Sequence, residues 1–517
     1  MPALLGAVLL AACTSPSPTP SPTPSPSPTA GLSAQGWVTS GDGSKLLADL
    51  PVRVTAGAAD ASNSDASNSA ASNSASAADI TVDTGADNGT GYQTMDGFGA
   101  GLTHSSAEVL MQMPEDRRKE LMTELFDPTG PVRIALLRIP IGASDFVPSE
   151  AFSLDDVPSG EQDWDLQHFS TAPDQNLQPL LRQALELNPN LKIIASPWSP
   201  PAWLKTSDSL EGGALIDDQR AYDAYAEYFV RFVQDYRDAG IDIWALTVQN
   251  EPQLRHPDGY PGTDMPVSQE ATLIETLGPK LAAAGLAAGI MGFDHNWQLN
   301  PADAAATPEG QDPAYQYPAD LLRTPAAEWL IGTAFHCYYG SAAVQSDLHD
   351  AFPDKGIWVT ECSGSHSEGD SQERIFADTL DWQSTNLLIP ATRNWANGVQ
   401  TFNLTLDPDG GPHAGGCDTC TPVVTVHPDG TVTRNAEYYL LAQAGQFVQP
   451  GAVRLGSDTG GDSPIAQVAF RNPDGSLALI AYNTADAATK VTIAADTTRL
   501  TTTLPAKSLA TLVWGGR

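Results

Sequence analysis

Two glutamates each stand directly after a short apolar stretch of the chain. The stretch 243–250 is followed by Glu251, and the stretch 357–360 is followed by Glu361, 110 residues further on (361 − 251). Runs of this composition predict strands that are buried on both faces of a parallel sheet. A carboxylate cannot lie unpaired in such a core, so we expect both side chains at the rim where the strands end. Two carboxylates on strand ends suit acid–base and nucleophilic chemistry at a glycosidic bond.

Strand-like and helix-like stretches alternate along the chain around these two glutamates. Predicted strands lie near Phe98 and at 132–139, 191–196, 243–250, 289–294, 331–336, 357–361 and 399–403. Predicted helices include 105–125, 222–236 and 437–447. The alternation predicts an α/β fold. About eight strand–helix units indicate a (β/α)8 TIM barrel over residues 96–447, with the chemistry at the carboxyl ends of its strands.

Both ends of the chain lack this alternation. Residues 448–517 contain short strand-like stretches at 466–470, 477–482, 490–493 and 509–514, separated by turn residues. This pattern predicts an antiparallel β-sandwich. Residues 31–95 contain further strand-like stretches that have no place in the barrel, so we expect a side β-sandwich built from both chain ends. Within them, the Ala/Ser/Asn-rich segment 56–78 is predicted to be a disordered insert.

The first residues indicate the cellular compartment. Residues 4–12 form an apolar run too short to span a bilayer, and it ends in Leu-Ala-Ala before Cys13. This predicts a lipoprotein signal with its lipobox at 1–13 and a lipidated Cys13, although the usual positive charge before the run is missing. Ordinary secretion is the alternative. The Ser/Thr/Pro-rich residues 14–30 are expected to be an extended linker. We therefore expect an extracellular protein, anchored on a bacterial cell surface.

The charge balance limits the partners of this chain. Asp and Glu total 62 while Lys and Arg total 26, a net charge of −36. Such a surface repels phosphate backbones and anionic membranes, which argues against nucleic-acid binding and leaves the lipid anchor as the expected membrane contact. A neutral substrate fits this charge. Chemistry by two carboxylates requires neither a metal nor an organic cofactor, so none is expected.

Several longer motifs occur in one order along residues 92–517. They read DGFGAGLTHSSA, LRIPIGASDF, ASPWSPPAWLKT, LTVQNEP, AFHCYYG, VTECSG and LDPDGGPHAGG. Here the chain resembles glycoside hydrolase family 30, the glucosylceramidase-like and β-1,6-glucanase-like retaining enzymes. The resemblance implies that Glu251 is the general acid/base and Glu361 the nucleophile, with carboxyl groups about 5–5.5 Å apart. As an acid, Glu251 is expected to have a raised pKa.

The resemblance also implies a substrate and the residues that bind it. The substrate would be a β-linked glucoside, either β-1,6-glucan or a glucosylceramide-like molecule. A xylan- or galactan-specific hydrolase and an inert surface carbohydrate-binding protein are the alternatives. Arg138 would donate to the nucleophile and Asn250 to the sugar 2-OH. Trp198 matches a substrate-lining position of the family. Tyr260, in the loop after Glu251, is a further candidate platform for a sugar ring, and His336, at the end of its predicted strand, is expected to line the pocket. The remaining predicted substrate-binding residues, His104, Phe402 and His413, depart, with Cys337, from the glucosylceramidase pattern.

Four cysteines follow Cys13 and offer two pairs. Cys417 and Cys420 could form half of a metal site, but no second CxxC or His pair accompanies them, so we favour a local disulfide in an oxidising compartment. Cys337 and Cys362 each follow an inward-facing residue on neighbouring predicted strands, so both should point away from the lumen on the same side. We hypothesise a disulfide between them; two buried free thiols are the alternative.

Overall fold

The computed structural model describes residues 33–56, 79–85, 91–255, 259–308, 310–311, 316–460 and 463–515. The predicted lipoprotein signal, residues 1–13, and the predicted linker, residues 14–30, therefore lie outside the described residues. So does the predicted insert 56–78 beyond its first residue. In the part of the chain that is described, no helix is both long enough and apolar enough to cross a membrane.

Eight parallel strands close into a barrel at the centre of the described chain. Each strand pairs with the next one along the chain, and the last pairs with the first, which confirms the predicted (β/α)8 barrel. We number these barrel strands first to eighth: Gly97–Gly101, Leu136–Pro140, Lys192–Ser196, Ala245–Thr247, Gly289–Asn296, Leu330–His336, Gly356–Glu361 and Gly398–Thr401. Their carboxyl ends meet at one rim, where both glutamates lie.

Helices connect the barrel strands and bury their apolar faces against them. The described helices are His104–Gln112, Glu115–Phe126, Leu177–Leu187, Gln219–Asp238, Val267–Ala283, Pro301–Ala306, Tyr317–Leu321, Ala343–Ala351, Gln372–Trp382, Ile389–Arg393 and Ala436–Gly445. Shorter helical turns occupy Ala172–Gln175, Ala202–Leu204, Pro325–Glu328 and Gln383–Leu388. The single helix predicted at 105–125 is two helices, because Pro114 lacks an N–H group and interrupts the hydrogen-bond ladder between them.

Strands from both chain ends form the β-sandwich, as the sequence predicts. They are Ala34–Ser40, Ala48–Asp49, Arg53–Ala56 and Ile80–Asp83, then Val453–Thr459, Ile465–Arg471, Leu477–Asn483, Thr489–Ala495, Thr498–Leu504 and Ser508–Trp514. The first of these pairs along its length with the last. Ile80–Asp83 lies between Val453–Thr459 and Thr489–Ala495. The N-terminal strands are therefore integral parts of this domain.

The sandwich buries both faces of one of its layers. The first half of Val453–Thr459 pairs with Ile465–Arg471 in one layer, and its second half pairs with Ile80–Asp83 in the other layer. This strand therefore connects the two layers by hydrogen bonds. Leu479 lies in the core between the layers, whereas its neighbour Ile480 belongs to the large core shared with the barrel. Because side chains alternate along a strand, one layer contacts both the second layer and the barrel.

Short strands cover the barrel rim near the eighth strand. Thr405–Leu406, Val424–Val426 and Val432–Arg434 form a small sheet, and Gly364–Ser365 pairs with Cys420–Thr421. This second pair places the Cys417–Cys420 segment beside the residues that follow Glu361.

Candidate active site

Arg138 lies below the carboxyl ends of the barrel strands and bonds to Glu361 and to Asn250, the residue next to Glu251. It lies in the second barrel strand and its side chain is almost completely buried. The guanidinium donates to Oε2 of Glu361 at 2.6 Å, to Oδ1 of Asn250 at 2.6 Å and to Oδ2 of Asp294 at 2.8 Å. Burial alone would lower the pKa of Arg138, but the charges of Asp294 and Glu361 outweigh it and raise that pKa. Arg138 therefore stays charged and fixes the orientation of Glu361.

Glu361 ends the seventh barrel strand with two donors on its carboxylate. Arg138 donates to one oxygen, and the hydroxyl group of Tyr338 donates to the other, Oε1, at 2.9 Å. The residue is buried to 8% exposure but lines a cavity. A carboxylate that is held by two donors and still faces open space is suited to attack an electrophilic carbon.

Glu251 reaches the site through an irregular turn after the fourth barrel strand. The strand covers only Ala245–Thr247, shorter than the predicted 243–250, because the chain then bonds to other partners. The N–H group of Asn250 donates to the carbonyl oxygen of Pro197 at 2.7 Å. Glu251 has a φ of +48°, a left-handed conformation that is uncommon outside glycine and concentrates at functional sites.

His336 lies between the two glutamates. Its Nδ1 atom is 3.0 Å from Oε1 of Glu251 and 4.0 Å from Oε1 of Glu361. The two carboxylate oxygens are therefore at most about 7 Å apart. This limit, which applies to one oxygen of each group, agrees with the roughly 5–5.5 Å separation of retaining glycosidases.

The pKa of Glu251 is shifted against the expectation from the sequence. Burial raises this pKa, but the charges of His295 and His336 and the hydrogen bond of His336 outweigh burial and lower it. Burial also lowers the pKa of His336, yet the negative charge of Glu361 and the hydrogen bond to Asp294 raise it to about 9. The expectation of a raised pKa for Glu251 was wrong because two imidazoles face this carboxylate. At neutral pH, the proton of the pair resides on His336.

Asp294 organises the lower part of the site. It lies in the fifth barrel strand, is fully buried, and accepts hydrogen bonds from Arg138, from Thr247 at 2.7 Å and from Thr360 at 2.6 Å. Although burial raises the pKa of Asp294, Arg138 and His336 hold it well below its usual value. The sequence analysis gave Asp294 no role. The sequence did contain an indication of its role: the predicted strand 289–294 ends in an acidic residue, just as two other predicted strands lead to Glu251 and Glu361.

A cavity of about 770 Å³ opens at the carboxyl ends of the barrel strands. Its volume falls within the roughly 300–1,000 Å³ that is usual for small-molecule sites. Glu251 and Glu361 both line it. So do Asp145, Phe146, Trp198, Asn250, Tyr260, Tyr338 and Phe402. The two carboxylates thus face a common space that is walled by aromatic and polar side chains.

The sequence of this barrel and sandwich matches two models of one protein family. The family 30 glycosyl hydrolase TIM-barrel domain matches residues 95–448, and the family 30 β-sandwich domain matches residues 451–512. The chain belongs to glycoside hydrolase family 30. It is a retaining β-glycoside hydrolase, and the two facing carboxylates agree with that chemistry.

Known family 30 proteins resemble this chain over most of its length. An endo-1,6-β-D-glucanase of Aspergillus fumigatus is 33% identical over 430 residues, which cover 78% of this chain and 81% of that protein. The lysosomal acid glucosylceramidase of Mus musculus is 25% identical over 438 residues, covering 82% and 81%. A solved endo-β1,6-glucanase has a TM-score of 0.78 and 29% identity, covering 93% of this chain and 99% of that one.

Four of the predicted substrate-binding residues line the family 30 cavity: Trp198, Asn250, Tyr260 and Phe402. Arg138 and His336 lie beneath it, fully buried behind the glutamates. The guanidinium of Arg138 lies 4.8 Å from the ring centroid of Trp198 and 5.9 Å from that of Phe402. These two rings therefore cover the charged group and separate it from the cavity.

Two other predicted substrate-binding residues lie outside the lining of this cavity. Nε2 of His104 is 2.8 Å from Oδ1 of Asp174, and the other oxygen of that carboxylate, Oδ2, accepts from the hydroxyl group of Tyr236 at 2.8 Å. His104 is thus buried against Asp174 and does not line the cavity, so a contact with substrate stays a prediction for this residue. His413 is exposed and meets Phe146 edge-on, with ring centroids 6.1 Å apart. Its Nδ1 atom also lies 3.1 Å from the carbonyl oxygen of Gly415.

The sequence analysis missed Asp145 and Tyr338. Asp145 lines the cavity, and burial, with a contribution from the charge of Glu361, raises its pKa to about 8. It is therefore positioned to donate to, or accept from, a sugar hydroxyl group. Both residues stand in motifs that the family resemblance rests on, LRIPIGASDF and AFHCYYG, so attention to polar positions within those motifs would have found them.

Both cysteine pairs form disulfides. Cys337 and Cys362 have Cα atoms 5.3 Å apart, and Cys417 and Cys420 have Cα atoms 5.6 Å apart. The first bridge, hypothesised from the sequence, joins the residues directly after His336 and Glu361. It therefore braces the two strands that carry His336 and Glu361.

Glu251, His295 and His336 form a group that could hold a metal ion. Their potential ligand atoms lie within 4.8 Å of one another. Among the described residues, this is the one cluster of three or more His, Cys, Asp or Glu side chains that is close enough to share a metal ion. The reaction proposed below uses two members of this group, Glu251 and His336, to carry a proton.

Proposed function

We propose that this enzyme hydrolyses β-1,6-linked glucan, with Glu361 as the nucleophile and Glu251 as the general acid/base. The observation that supports these roles is the contrast between the partners of two carboxylates about 7 Å apart or less. Glu361 accepts from the charged Arg138, whereas Glu251 contacts the imidazole of His336. One carboxylate is paired with a cation and the other has a proton within reach, which is the division that double displacement requires.

The reaction has two displacement steps. In the first, an oxygen of Glu361 bonds to the anomeric carbon, the bond from that carbon to the leaving oxygen breaks, and Glu251 gives that oxygen a proton. In the second, a water oxygen attacks the anomeric carbon, Glu251 takes the proton of that water, and the bond to Glu361 breaks. Two inversions leave the configuration retained. Arg138 and Tyr338 stabilise the carboxylate that departs in the second step.

The proton for the first step comes from the pair of Glu251 and His336. The pair binds one proton at neutral pH, and at rest that proton is on the imidazole. It crosses the 3.0 Å contact to Oε1 of Glu251 as the leaving oxygen takes it up. Once Glu361 is esterified, Glu251 is ionised and ready to accept a proton from water. A lowered pKa at Glu251 is therefore compatible with acid catalysis.

The substrate is proposed from the relatives and from the cavity wall. The Aspergillus fumigatus relative is more similar to this chain than the mouse glucosylceramidase is, 33% against 25% identity. Phe402 and His413 also depart from the glucosylceramidase pattern. In the cavity, Asn250 would bond the sugar 2-OH, while Trp198 and Tyr260 would contact the apolar faces of the sugar ring. Glucosylceramide is the second candidate, and a xylan or galactan backbone is the third.

A substrate panel tests this assignment. Purified enzyme would be assayed on β-1,6-glucan, β-1,3-glucan, xylan, β-galactan and micellar glucosylceramide, with Glu361→Gln as the inactive control. We expect the highest kcat/KM on β-1,6-glucan and no turnover by the variant. A preference for another backbone would replace the proposed substrate. Equal inactivity of both proteins on every substrate would favour a carbohydrate-binding protein.

We also propose that the chain is exported and lipidated at Cys13. Three features support export: the Leu-Ala-Ala-Cys sequence that ends at Cys13, the Ser/Thr/Pro-rich residues 14–30, and the two disulfides. The test is fractionation after expression in a bacterium that processes lipoproteins. The native chain should be found with the membranes, and Cys13→Ser should appear in the soluble fraction. An identical distribution of the two proteins would contradict the anchor.

A further inference from the structure

The cavity extends past the two glutamates to a wall that the reaction itself does not use. We call this the outer wall; its residues are Tyr339, Ser365, Asp378, Thr379 and Trp382, all of which line the cavity. Large hydrophobic side chains are rarely exposed in the described chain. Two of the four that are exposed, Tyr339 at 46% and Trp382 at 36%, belong to the outer wall. Exposed aromatic rings with polar neighbours, continuous with a catalytic cavity, mark a binding surface.

The backbone at Trp382 is held in place, although the side chain of this residue is partly exposed. Trp382 ends the helix Gln372–Trp382, and the π-helical turn Gln383–Leu388 follows directly. Gln383 is fully buried, and the side-chain amide of Asn386 donates to the carbonyl oxygen of Cys337 at 3.2 Å. Such π-helical turns are frequent at functional sites. A ring on a fixed backbone loses little entropy when a ligand stacks on it.

The backbone at Tyr339 is also held in place, by contacts of neighbouring residues with the active site. It follows Tyr338, which donates to Glu361, and it lies two residues after the bridged Cys337. Its carbonyl oxygen accepts from the N–H group of Gln298 at 3.1 Å. The polypeptide thus holds one tyrosine against the nucleophile and leaves the next one facing the cavity.

We infer that the outer wall binds further sugar units of a β-linked glucan chain, with Trp382 and Tyr339 as stacking platforms. This inference rests on the proposed function, since the chain would occupy the same cavity. Aromatic faces pack on the C–H faces of sugar rings. Ser365, Asp378 and Thr379 supply partners for sugar hydroxyl groups. The Asp378 carboxylate accepts from Nε of Arg374 at 3.1 Å, and an acyl chain would remove water from it while offering no hydrogen bond in return. The wall therefore favours a polysaccharide over a glycolipid.

Binding at the outer wall makes catalytic efficiency depend on substrate length. The test compares kcat/KM on β-1,6-linked gluco-oligosaccharides of two to six units with kcat/KM on a nitrophenyl β-glucoside. For the native enzyme, the ratio of kcat/KM on the oligosaccharide to kcat/KM on the nitrophenyl glucoside should rise with oligosaccharide length. Trp382→Ala should lower the ratio for the longest oligosaccharide about fivefold, the effect of losing one aromatic stacking contact. Trp382→Phe, which keeps a flat ring, should recover most of it.

Two controls separate this role from a general defect. Leu46→Ala removes an exposed apolar side chain that does not line the cavity, and it should leave the ratio unchanged. Calorimetric titration of the longest oligosaccharide into Glu361→Gln, with and without Trp382→Ala, measures binding without turnover. The double variant should bind about fivefold more weakly.

Other outcomes would overturn the inference. One is a Trp382→Ala enzyme whose ratio equals that of the native protein, and another is an equal loss on the nitrophenyl glucoside and the longest oligosaccharide. If the native enzyme ignores all β-1,6-linked substrates, the proposed substrate fails instead. The same length series on the glucan that the substrate panel identifies then decides the role of the outer wall.

Discussion

Nδ1 of His336 and Oε1 of Glu251 share a hydrogen bond of 3.0 Å. The two residues come from the sixth barrel strand and from the turn after the fourth. The pKa of Glu251 is lowered, while that of His336 is raised to about 9. Because the two groups are in contact, they share the proton that the leaving group would receive. A carboxyl group that is ionised at rest can then still act as a general acid.

This pairing predicts how the pH dependence of activity changes when His336 is replaced by asparagine. In the native enzyme, the pair keeps its proton until the pH approaches the pKa of His336, about 9, so activity should fall above that pH. Without the imidazole, Glu251 must hold the proton itself, and a carboxyl group releases it at lower pH. The alkaline limb of the kcat/KM profile on an aryl β-glucoside should therefore move to lower pH. An unmoved limb would show that His336 does not hold the proton.

Replacing Glu251 by alanine tests the acid/base role separately from the nucleophile. With a dinitrophenyl glucoside, whose leaving group needs no proton, the first step should survive. The second step should slow by roughly 10²–10⁴-fold because no base activates water. Azide, an anion that needs no base, should restore turnover and give the β-glucosyl azide. If azide has no effect, or if the α-azide forms, Glu251 is not the acid/base of a retaining reaction.

Arg138 should be essential for both stability and catalysis. Arg138→Met removes a buried guanidinium and with it the ion pairs to Asp294 and Glu361. Loss of one member of a buried ion pair costs about 3–5 kcal/mol, so the free energy of unfolding in urea should fall by that amount. The kcat should fall as well, and Arg138→Lys, which keeps the charge, should lose less stability. An Arg138→Met enzyme with native stability would contradict the buried network.

The Cys337–Cys362 bridge should stabilise the fold more than the Cys417–Cys420 bridge does. The bridged cysteines are 25 residues apart in the first pair and 3 in the second. In the chain-entropy account, a loop of the first size is worth roughly 3 kcal/mol and a shorter loop less. The Cys337→Ser/Cys362→Ser variant should therefore show the larger drop in Tm. The reverse order of Tm values would argue against this account.

The sequence predicted the architecture because its signals are local. Apolar runs and helical periodicity mark each strand and helix, and the short alternating stretches at both ends indicated the sandwich. The misplaced boundaries also have local causes. Pro114 divides one predicted helix into two, and the chain beyond Thr247 leaves the barrel because Asn250 bonds to Pro197 on the preceding connection.

The positions of the two strand-end glutamates were predictable, but their electrostatic environment was not. Glu251 and Glu361 follow apolar strands, and Arg138 stands in a motif of its own. The partners that set the pKa of Glu251 are His295 and His336, on the fifth and sixth barrel strands. Only barrel closure brings these side chains to within 3.3 Å and 3.0 Å of Glu251. The sign of that pKa shift therefore needed the tertiary structure.

The most direct test of the account is to trap the covalent intermediate. The native enzyme would be incubated with a 2-deoxy-2-fluoroglucoside that carries a good leaving group, then digested, and the peptides weighed by mass spectrometry. We predict one fluoroglucosyl adduct, on the peptide that contains Glu361 and on that side chain. An adduct on Glu251, or active enzyme that forms no adduct and releases a product of inverted configuration, would contradict it.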